Sequence, residues 1–119
     1  MIMDVFPQST NRPAMETVAY LLSPVYRGVR RKPAPVLLRG DPEMVATVID
    51  ACTYKNTRTF GVLSFHPDDD VSPTQEQEII DAFEAYAFPG IPKHLRPPFL
   101  SVRQTHTNNG HHEIHVLGP

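Results

Sequence analysis

The stretch F-L-S-V-R-Q-T-H-T-N-N-G-H-H-E-I-H-V-L, residues 99–117, decides the fold of this chain. Its two ends, Phe99 to Thr105 and Glu113 to Leu117, have the length and β-prone composition of strands. Between them stands Asn109-Gly110, a dipeptide that is typical of tight hairpin turns. We therefore predict two neighbouring antiparallel strands here.

Helices and strands alternate in the residues that precede this hairpin. The predicted elements, in chain order, are a short edge strand at 1–6, a helix over Ala14 to Leu22, an extended segment at 35–39, a helix from Asp41, a strand over Thr59 to Phe65 and a helix from Ser72 to about Tyr86. Asp41-Pro42 and Ser72-Pro73 each combine a capping side chain with a proline suited to the first helical turn. This order predicts an α+β domain: a mainly antiparallel sheet with helices packed on one face.

Tyr20 lies in the first of these helices. The apolar stripe of that helix is predicted at i, i+3, i+4 and i+7, which are Met15, Val18, Ala19 and Leu22. Tyr20 falls beside the stripe, so taken alone it is an ordinary residue of an amphipathic helix.

Length, charge and cysteine content exclude several classes of protein. The 119 residues suit one domain, and 40% hydrophobic with 20% charged residues is ordinary for a globular chain. No apolar run reaches the ~18 residues of a membrane span, and the first ten residues do not resemble a secretory signal. The single cysteine, Cys52, suits a reducing compartment, so we expect a cytoplasmic protein. With a formal charge of −2, DNA binding would require a local basic patch.

Four of the six histidines lie within the predicted hairpin. Two of them share one of its faces with a glutamate. With a two-residue turn, 106 pairs with 113 and 104 with 115, while a four-residue turn shifts the pairing and preserves the parity. His106, Glu113 and His115 then point to the same side. Two imidazoles and a carboxylate predict a site for a divalent ion with positions left open. A solvated, histidine-rich hairpin is the alternative. His112 is out of phase with this set.

Four cations follow the Tyr20 helix within six residues: Arg27, Arg30, Arg31 and Lys32. We predict that residues 25–34 form a basic loop whose side chains contact the phosphate backbone of DNA. A solvated loop without a ligand is the alternative for each of these residues.

Taken together, the motifs resemble those of the HUH relaxases, the nicking enzymes of plasmid mobilisation and conjugation, and in particular the colicin-type mobilisation relaxases. The H-x6-E-x-H spacing of His106, Glu113 and His115 resembles their metal motif, and V-A-Y-L-L, residues 18–22, resembles their tyrosine motif. L-R-G-D-P-E at 38–43 and G-V-L-S-F at 61–65 resemble the segment between the two.

This resemblance implies a fold, a reaction and a set of site residues. The fold would be the HUH-endonuclease core, ferredoxin-like or RRM-like. Tyr20 would be the nucleophile of a site- and strand-specific DNA nickase that forms a 5′-phosphotyrosine intermediate, with Tyr26 as the fallback. His106, Glu113 and His115 would hold Mg²⁺ or Mn²⁺. The partners would be single-stranded DNA at a plasmid transfer origin and accessory mobilisation proteins, with no membrane.

Two further hypotheses stay open beside the nickase. The catalytic domain of the relaxases normally continues past the metal motif, so the resemblance predicts that residues 1–119 are one partial catalytic domain, truncated at the C-terminus. A non-catalytic remnant that binds metal or DNA is therefore the second hypothesis. A histidine-rich metal-binding module without a DNA function is the third.

Overall fold

A five-stranded sheet with three helices forms the fold. The computed structural model describes residues 2–8, 12–52, 58–66, 68–105 and 112–119. Its elements in chain order are β1 (Ile2–Gln8), α1 (Ala14–Leu22), β2 (Val25–Tyr26), β3 (Val29–Arg30), β4 (Val36–Arg39), α2 (Pro42–Asp50), β5 (Arg58–Ser64), α3 (Pro73–Ala87), a 3₁₀ turn (Lys93–Leu95), β6 (Leu100–Gln104) and β7 (Glu113–Gly118). The sheet has the order β1-β5-β7-β6-β4 with antiparallel neighbours throughout. The predicted α+β class with a mainly antiparallel sheet is confirmed.

Local capping chemistry sets where α2 and α3 begin. The Asp41 carboxylate accepts hydrogen bonds from the backbone N–H groups of Glu43, at 3.0 Å, and Met44, at 3.3 Å. Ser72 and Gln75 form a reciprocal capping box, with side-chain to backbone distances of 3.2 and 2.8 Å. Both predicted helix starts are therefore confirmed. No helix in the described part of the chain combines the length and the apolar character required to cross a membrane.

The helices pack on both faces of the sheet, so the prediction that they share one face was wrong. Ala14, Val18, Leu21, Val45, Ala46 and Ile49 of α1 and α2 form one core with Phe60, Leu100, Val102 and Leu117. Ile80 and Phe83 of α3 form a second core with Leu63, Phe65, Ile114 and Val116. Successive residues of a strand point to opposite faces, so these strand residues line the two sides alternately. Because β5 and β7 carry apolar side chains on both sides, each face requires its own helical cover.

The buried face of α1 is rotated from the predicted stripe. Ala14, Val18 and Leu21 are buried, whereas Met15 is 46% exposed and Ala19 is also exposed. Their prediction as inward residues was wrong, because α1 packs against α2 as well as against the sheet. The Asp50 carboxylate at the end of α2 accepts a 2.9 Å hydrogen bond from the Ala14 backbone N–H and holds the start of α1 beside it.

The pairing of β6 with β7 corresponds to the longer of the two predicted turns. Gln104 lies opposite Glu113, and Val102 lies opposite His115. The pairing of 104 with 115 expected for a two-residue turn was therefore wrong. The shift is by two residues, so it leaves Glu113 and His115 on the predicted common face. The predicted turn, within residues 107–110, lies outside the described residues.

Candidate functional site

Four polar side chains occupy one end of the sheet face that α1 and α2 cover. Ser64, Glu113 and Gln104 lie side by side on β5, β7 and β6, and His115 follows Glu113 on the same face. We call these four residues the polar end. The Ser64 hydroxyl donates to a Glu113 carboxylate oxygen at 3.4 Å. Farther along the same face, Phe60, Leu100, Val102 and Leu117 are apolar and buried against α1 and α2.

Glu113 and His115, two of the three predicted metal ligands, meet at the polar end. Glu113 is 9% exposed and His115 is 8% exposed. The Nε2 atom of His115 lies 3.5 Å from the Oε1 atom of Glu113, and the His115 ring packs edge-on against Phe60 at 5.7 Å between centroids. His106, the third predicted ligand, lies outside the described residues.

The donor atoms of this pair suit a divalent ion. Two ligands bonded to one ion at ~2.0–2.2 Å must lie within about 4.4 Å of each other, and the 3.5 Å separation satisfies that limit. A carboxylate oxygen and an imidazole nitrogen are ordinary ligands for such an ion. Among the described residues, no group of three or more His, Cys, Asp or Glu side chains is arranged to hold a metal. The described part of the chain therefore supplies two ligands and leaves the three-ligand site a prediction.

Gln104 joins the polar end to α1. Its side-chain amide donates a 2.9 Å hydrogen bond to the main-chain carbonyl of Leu21, and the contact is buried. Tyr20 directly precedes Leu21, so the predicted nucleophile lies on a helix that is bonded to the strand partner of Glu113. Sequence reasoning missed Gln104. The available signal was a polar residue at a strand position with the same parity as the apolar Leu100 and Val102.

Tyr20, Tyr26 and Arg31 form a compact cluster at the end of α1. The two tyrosine rings meet edge to face, with 5.0 Å between their centroids. The Arg31 guanidinium carbon lies 5.1 Å from the Tyr20 centroid and 5.0 Å from that of Tyr26. Arg31 also donates hydrogen bonds to the carbonyls of Tyr20 and Ser23, and it is only 6% exposed. This cation satisfies carbonyls at the helix terminus and fixes both rings, while each tyrosine stays 39% exposed.

The predicted basic loop contains a small hairpin. β2 and β3 pair Val25 with Arg30 and Tyr26 with Val29. Both turn residues, Arg27 and Gly28, have positive φ angles, of 51° and 78°, as a two-residue hairpin turn requires. We call residues 25–32 the basic hairpin. Three of its four cations, Arg27, Arg30 and Lys32, are exposed. These three therefore differ from Arg31, which is buried. DNA contact by all four cations stays a prediction.

The opposite face of the sheet carries an ionic cluster in which Glu76 is buried and its partners Arg103 and His112 are half-buried. Both Glu76 oxygens accept from Arg103, at 2.5 and 2.7 Å, and the His112 Nε2 atom lies 2.9 Å from one of them. Burial alone raises the pKa of the Glu76 carboxyl, but the hydrogen bonds and charges of Arg103 and His112 outweigh it and lower that pKa. Glu76 also raises the pKa of the Arg103 guanidinium. Sequence reasoning missed this cluster, although Glu76 lies one helical turn before the inward-facing Ile80.

Comparison with known proteins connects the chain to a plasmid protein. It is 39% identical over 83 residues to cryptic plasmid protein C of Neisseria gonorrhoeae. The match covers 70% of the chain and 38% of the relative, so the chain matches well under half of that protein's length. No protein-family model and no solved structure matches the chain. Homology to a plasmid protein agrees with the plasmid part of the sequence-based hypothesis, and the relaxase assignment stays a prediction.

Proposed function

We propose that this chain takes part in plasmid mobilisation or conjugative transfer as a metal-dependent nickase, which cuts one strand of DNA at a specific site by tyrosine transesterification. The observation that carries the proposal is the buried hydrogen bond from Gln104 to Leu21. It holds the helix of the exposed Tyr20 against the end of the sheet where Glu113 and His115 meet. The similarity to a plasmid protein supports the proposal independently.

Tyr20 is the nucleophile of the proposed reaction. Its phenolic oxygen, after giving up its proton, forms a bond to the phosphorus of the scissile phosphodiester, and the bond from phosphorus to the 3′ oxygen breaks. The 3′ oxygen takes up a proton and leaves as a free hydroxyl, while the 5′ phosphate stays joined to Tyr20. One phosphate ester replaces another, so the step is reversible and requires no oxidant or reductant. Tyr26, in contact with Tyr20, is the alternative nucleophile.

In this proposal the remaining residues bind the metal ion, bind the DNA or position the tyrosines. Glu113 and His115, with His106 as the predicted third ligand, would hold Mg²⁺ or Mn²⁺, and the bound ion would supply a Lewis acid for the scissile phosphate. Arg27, Arg30 and Lys32 are exposed on the basic hairpin, which also carries Tyr26, and contact the phosphates of single-stranded DNA at a plasmid transfer origin. Arg31 holds the two tyrosine rings in place. Accessory mobilisation proteins are the expected protein partners.

A non-catalytic module that binds metal or DNA is the second candidate. Its supporting observation is the burial of Glu113 and His115, each more than nine-tenths removed from solvent. An enclosed pair of ligands suits a metal that stabilises the fold as well as one that contacts a substrate. In that case the basic hairpin binds DNA without cleaving it.

A trapped covalent adduct distinguishes the two candidates. The chain is incubated with Mn²⁺ and single-stranded oligonucleotides from a plasmid transfer origin, and a denaturing gel reports protein joined to DNA. We expect an adduct with the wild type and none with Tyr20→Phe, which removes only the hydroxyl. Tyr86→Phe is the matched control, because Tyr86 lies on α3 and is 71% exposed. Peptide mass spectrometry locates the modified tyrosine.

The remaining outcomes are equally informative. A modification on Tyr26 moves the nucleophile to the hairpin, and an adduct formed by Tyr20→Phe at the normal rate excludes Tyr20. If the wild type forms no adduct but binds one equivalent of Mn²⁺ that is lost in His106→Ala, the non-catalytic module is the better description.

A further inference from the structure

The ionic cluster of Glu76, Arg103 and His112 joins three parts of the chain at one buried carboxylate. Glu76 lies on α3 and is 1% exposed. Its two oxygens bind Arg103, on β6, through the paired geometry that makes arginine–carboxylate contacts directional. The same carboxylate contacts His112, immediately before β7. Glu76 therefore bridges two neighbouring strands from above the sheet.

The two residues that Glu76 binds are adjacent in sequence to two residues of the polar end. Arg103 precedes Gln104, and His112 precedes Glu113. Because successive strand residues face opposite sides, anchoring one residue of each pair from the α3 side sets where its neighbour lies on the other side. The backbone of His112 is held as well, since its carbonyl accepts a 3.0 Å hydrogen bond from the Phe65 N–H. The start of β7 is thus fixed from two directions.

We propose that Glu76 is a positioning residue for Glu113: by binding Arg103 and His112 together, it fixes the start of β7 and so places the Glu113 carboxylate beside His115. This inference rests on the proposed function for its metal and extends it to a residue on the far face of the sheet. Groups that hydrogen-bond a metal ligand directly change metal affinity about 10–100-fold when they are replaced. Glu76 acts through the backbone of β7 instead, so we expect a loss at the lower end of that range.

The same helix supplies a matched control. Glu84 is 9% exposed and pairs with Arg39, at 3.4 Å, and Arg96, at 3.7 Å. Neither of those arginines lies on β6 or β7. Glu84→Gln therefore removes a carboxylate from two ion pairs on α3 without touching the strand positions next to the polar end.

Calorimetric titration with Mn²⁺, together with amide hydrogen exchange, tests the proposal on the full chain. In Glu76→Gln we expect Mn²⁺ affinity to fall about tenfold and hydrogen exchange to accelerate at the backbone amides of residues 112–114. In Glu84→Gln we expect both to stay within twofold of the wild type. Unchanged affinity and exchange in Glu76→Gln, or equal losses in Glu84→Gln, would overturn the positioning role.

A second variant covers the case in which Glu76→Gln does not fold. Replacing a buried ion pair by apolar residues of similar volume often preserves stability. The double variant Glu76→Met with Arg103→Met should therefore fold, lack the bridge and show the same weakened Mn²⁺ binding. Wild-type affinity in this variant would count against the proposal.

The two proposals fail in different ways. If the wild type binds no Mn²⁺ and forms no adduct, the proposed function fails. Hydrogen exchange at Glu113 then decides the positioning claim, because that measurement requires no metal. Faster exchange in Glu76→Gln but not in Glu84→Gln supports the claim, and equal exchange in both overturns it.

Discussion

The side-chain amide of Gln104 lies 2.9 Å from the main-chain carbonyl oxygen of Leu21, and both residues are buried. Gln104 pairs with Glu113 across two strands, while Leu21 follows Tyr20 in α1. This contact brings residues from distant parts of the chain, 83 positions apart, into one neighbourhood. The proposed nucleophile, Tyr20, and the proposed metal ligand, Glu113, are therefore each next to one partner of this contact.

Loss of the Gln104 amide should affect both stability and reaction. In Gln104→Leu the Leu21 carbonyl stays buried without its donor, and we expect the free energy of unfolding to fall by ~1–3 kcal/mol. Adduct formation should slow about tenfold or more, because α1 loses the contact that sets its position. Denaturant titration and initial adduct rates measure the two effects.

Ser101→Ala is the control for Gln104→Leu. Ser101 is a buried polar residue of the same strand, and its hydroxyl has no hydrogen-bond partner among the described residues. Its replacement should cost little stability and leave the adduct rate unchanged. An unaltered adduct rate in Gln104→Leu would mean that the position of α1 does not limit the reaction.

The exposed cations of the basic hairpin should contribute to the salt dependence of DNA binding. Each phosphate contact contributes about 0.7 to the slope of log affinity against log salt for a single strand. Replacing Arg27, Arg30 and Lys32 by alanine should therefore reduce that slope by about 2, as measured by fluorescence anisotropy between 50 and 200 mM salt. Arg31 is retained because it packs against the tyrosines.

Lys93→Ala provides the comparison for the hairpin variant. Lys93 pairs with Asp81 of α3, which packs on the other side of the sheet, so its removal should leave the slope unchanged. A hairpin variant with a wild-type slope would show that these three cations are merely solvated.

Glu76 should make the fold sensitive to acid. Its pKa is lowered in the folded chain from an ordinary value of 4.5, so unfolding favours proton uptake. The stabilising contribution is fully present above about pH 4.5 and is lost as the pH falls through the lower, folded pKa. Urea titrations between pH 6 and pH 3 without metal should show this loss in the wild type and a smaller one in Glu76→Gln.

Asp81→Asn serves as the comparison in that experiment, because it removes an exposed carboxylate whereas Glu76→Gln removes a buried one. A hydrogen bond from Arg39 lowers the pKa of Asp81 as well, but Asp81 is exposed. The contribution of Asp81 to the free energy of unfolding should disappear in 0.5 M salt, whereas that of Glu76 should persist. The reason is that salt screens exposed charges more than buried ones. Equal screening of both would argue against a buried Glu76 pair in solution.

Gly40, between β4 and α2, should not tolerate alanine. Its φ angle is +98°, and a β-carbon there would overlap the backbone carbonyl of Phe99. We expect Gly40→Ala to lower the free energy of unfolding by more than ~2 kcal/mol, since a left-handed conformation alone costs ~1–2 kcal/mol. In Gly90→Ala the φ angle is also positive, at +75°, but no atom lies within 4 Å of the new carbon, so only the conformational cost should appear. Thermal or urea unfolding measures both losses. An equal loss of unfolding free energy in Gly40→Ala and Gly90→Ala would contradict the proposed overlap with Phe99.

Features that depend on neighbouring residues could be predicted from the sequence. The caps at Asp41 and Ser72, the extent of α1 and the common face of Glu113 and His115 follow from local hydrogen bonding and from the two-residue period of a strand. The exposed Met15 and the buried Ala14 show where this reasoning ends. Helical spacing indicates that a helix has an apolar face, but the packing of α1 against α2 decides which residues form it.

The sequence by itself determined the helices, the strands of the main sheet and their order, but not the β2–β3 hairpin within the predicted basic loop. It also determined the chemistry of the candidate site: a tyrosine on a helix, a carboxylate and an imidazole on one strand face, and a basic segment. Only the tertiary structure decided that α3 covers the opposite face, that Arg31 is buried among the tyrosines, that Gln104 bonds to Leu21 and that Glu76 bridges Arg103 and His112. The physical reason is the sequence separation between the residues that interact. Caps and strand parity are set by residues a few positions apart, whereas a buried polar side chain must find its partner wherever the folded chain provides one.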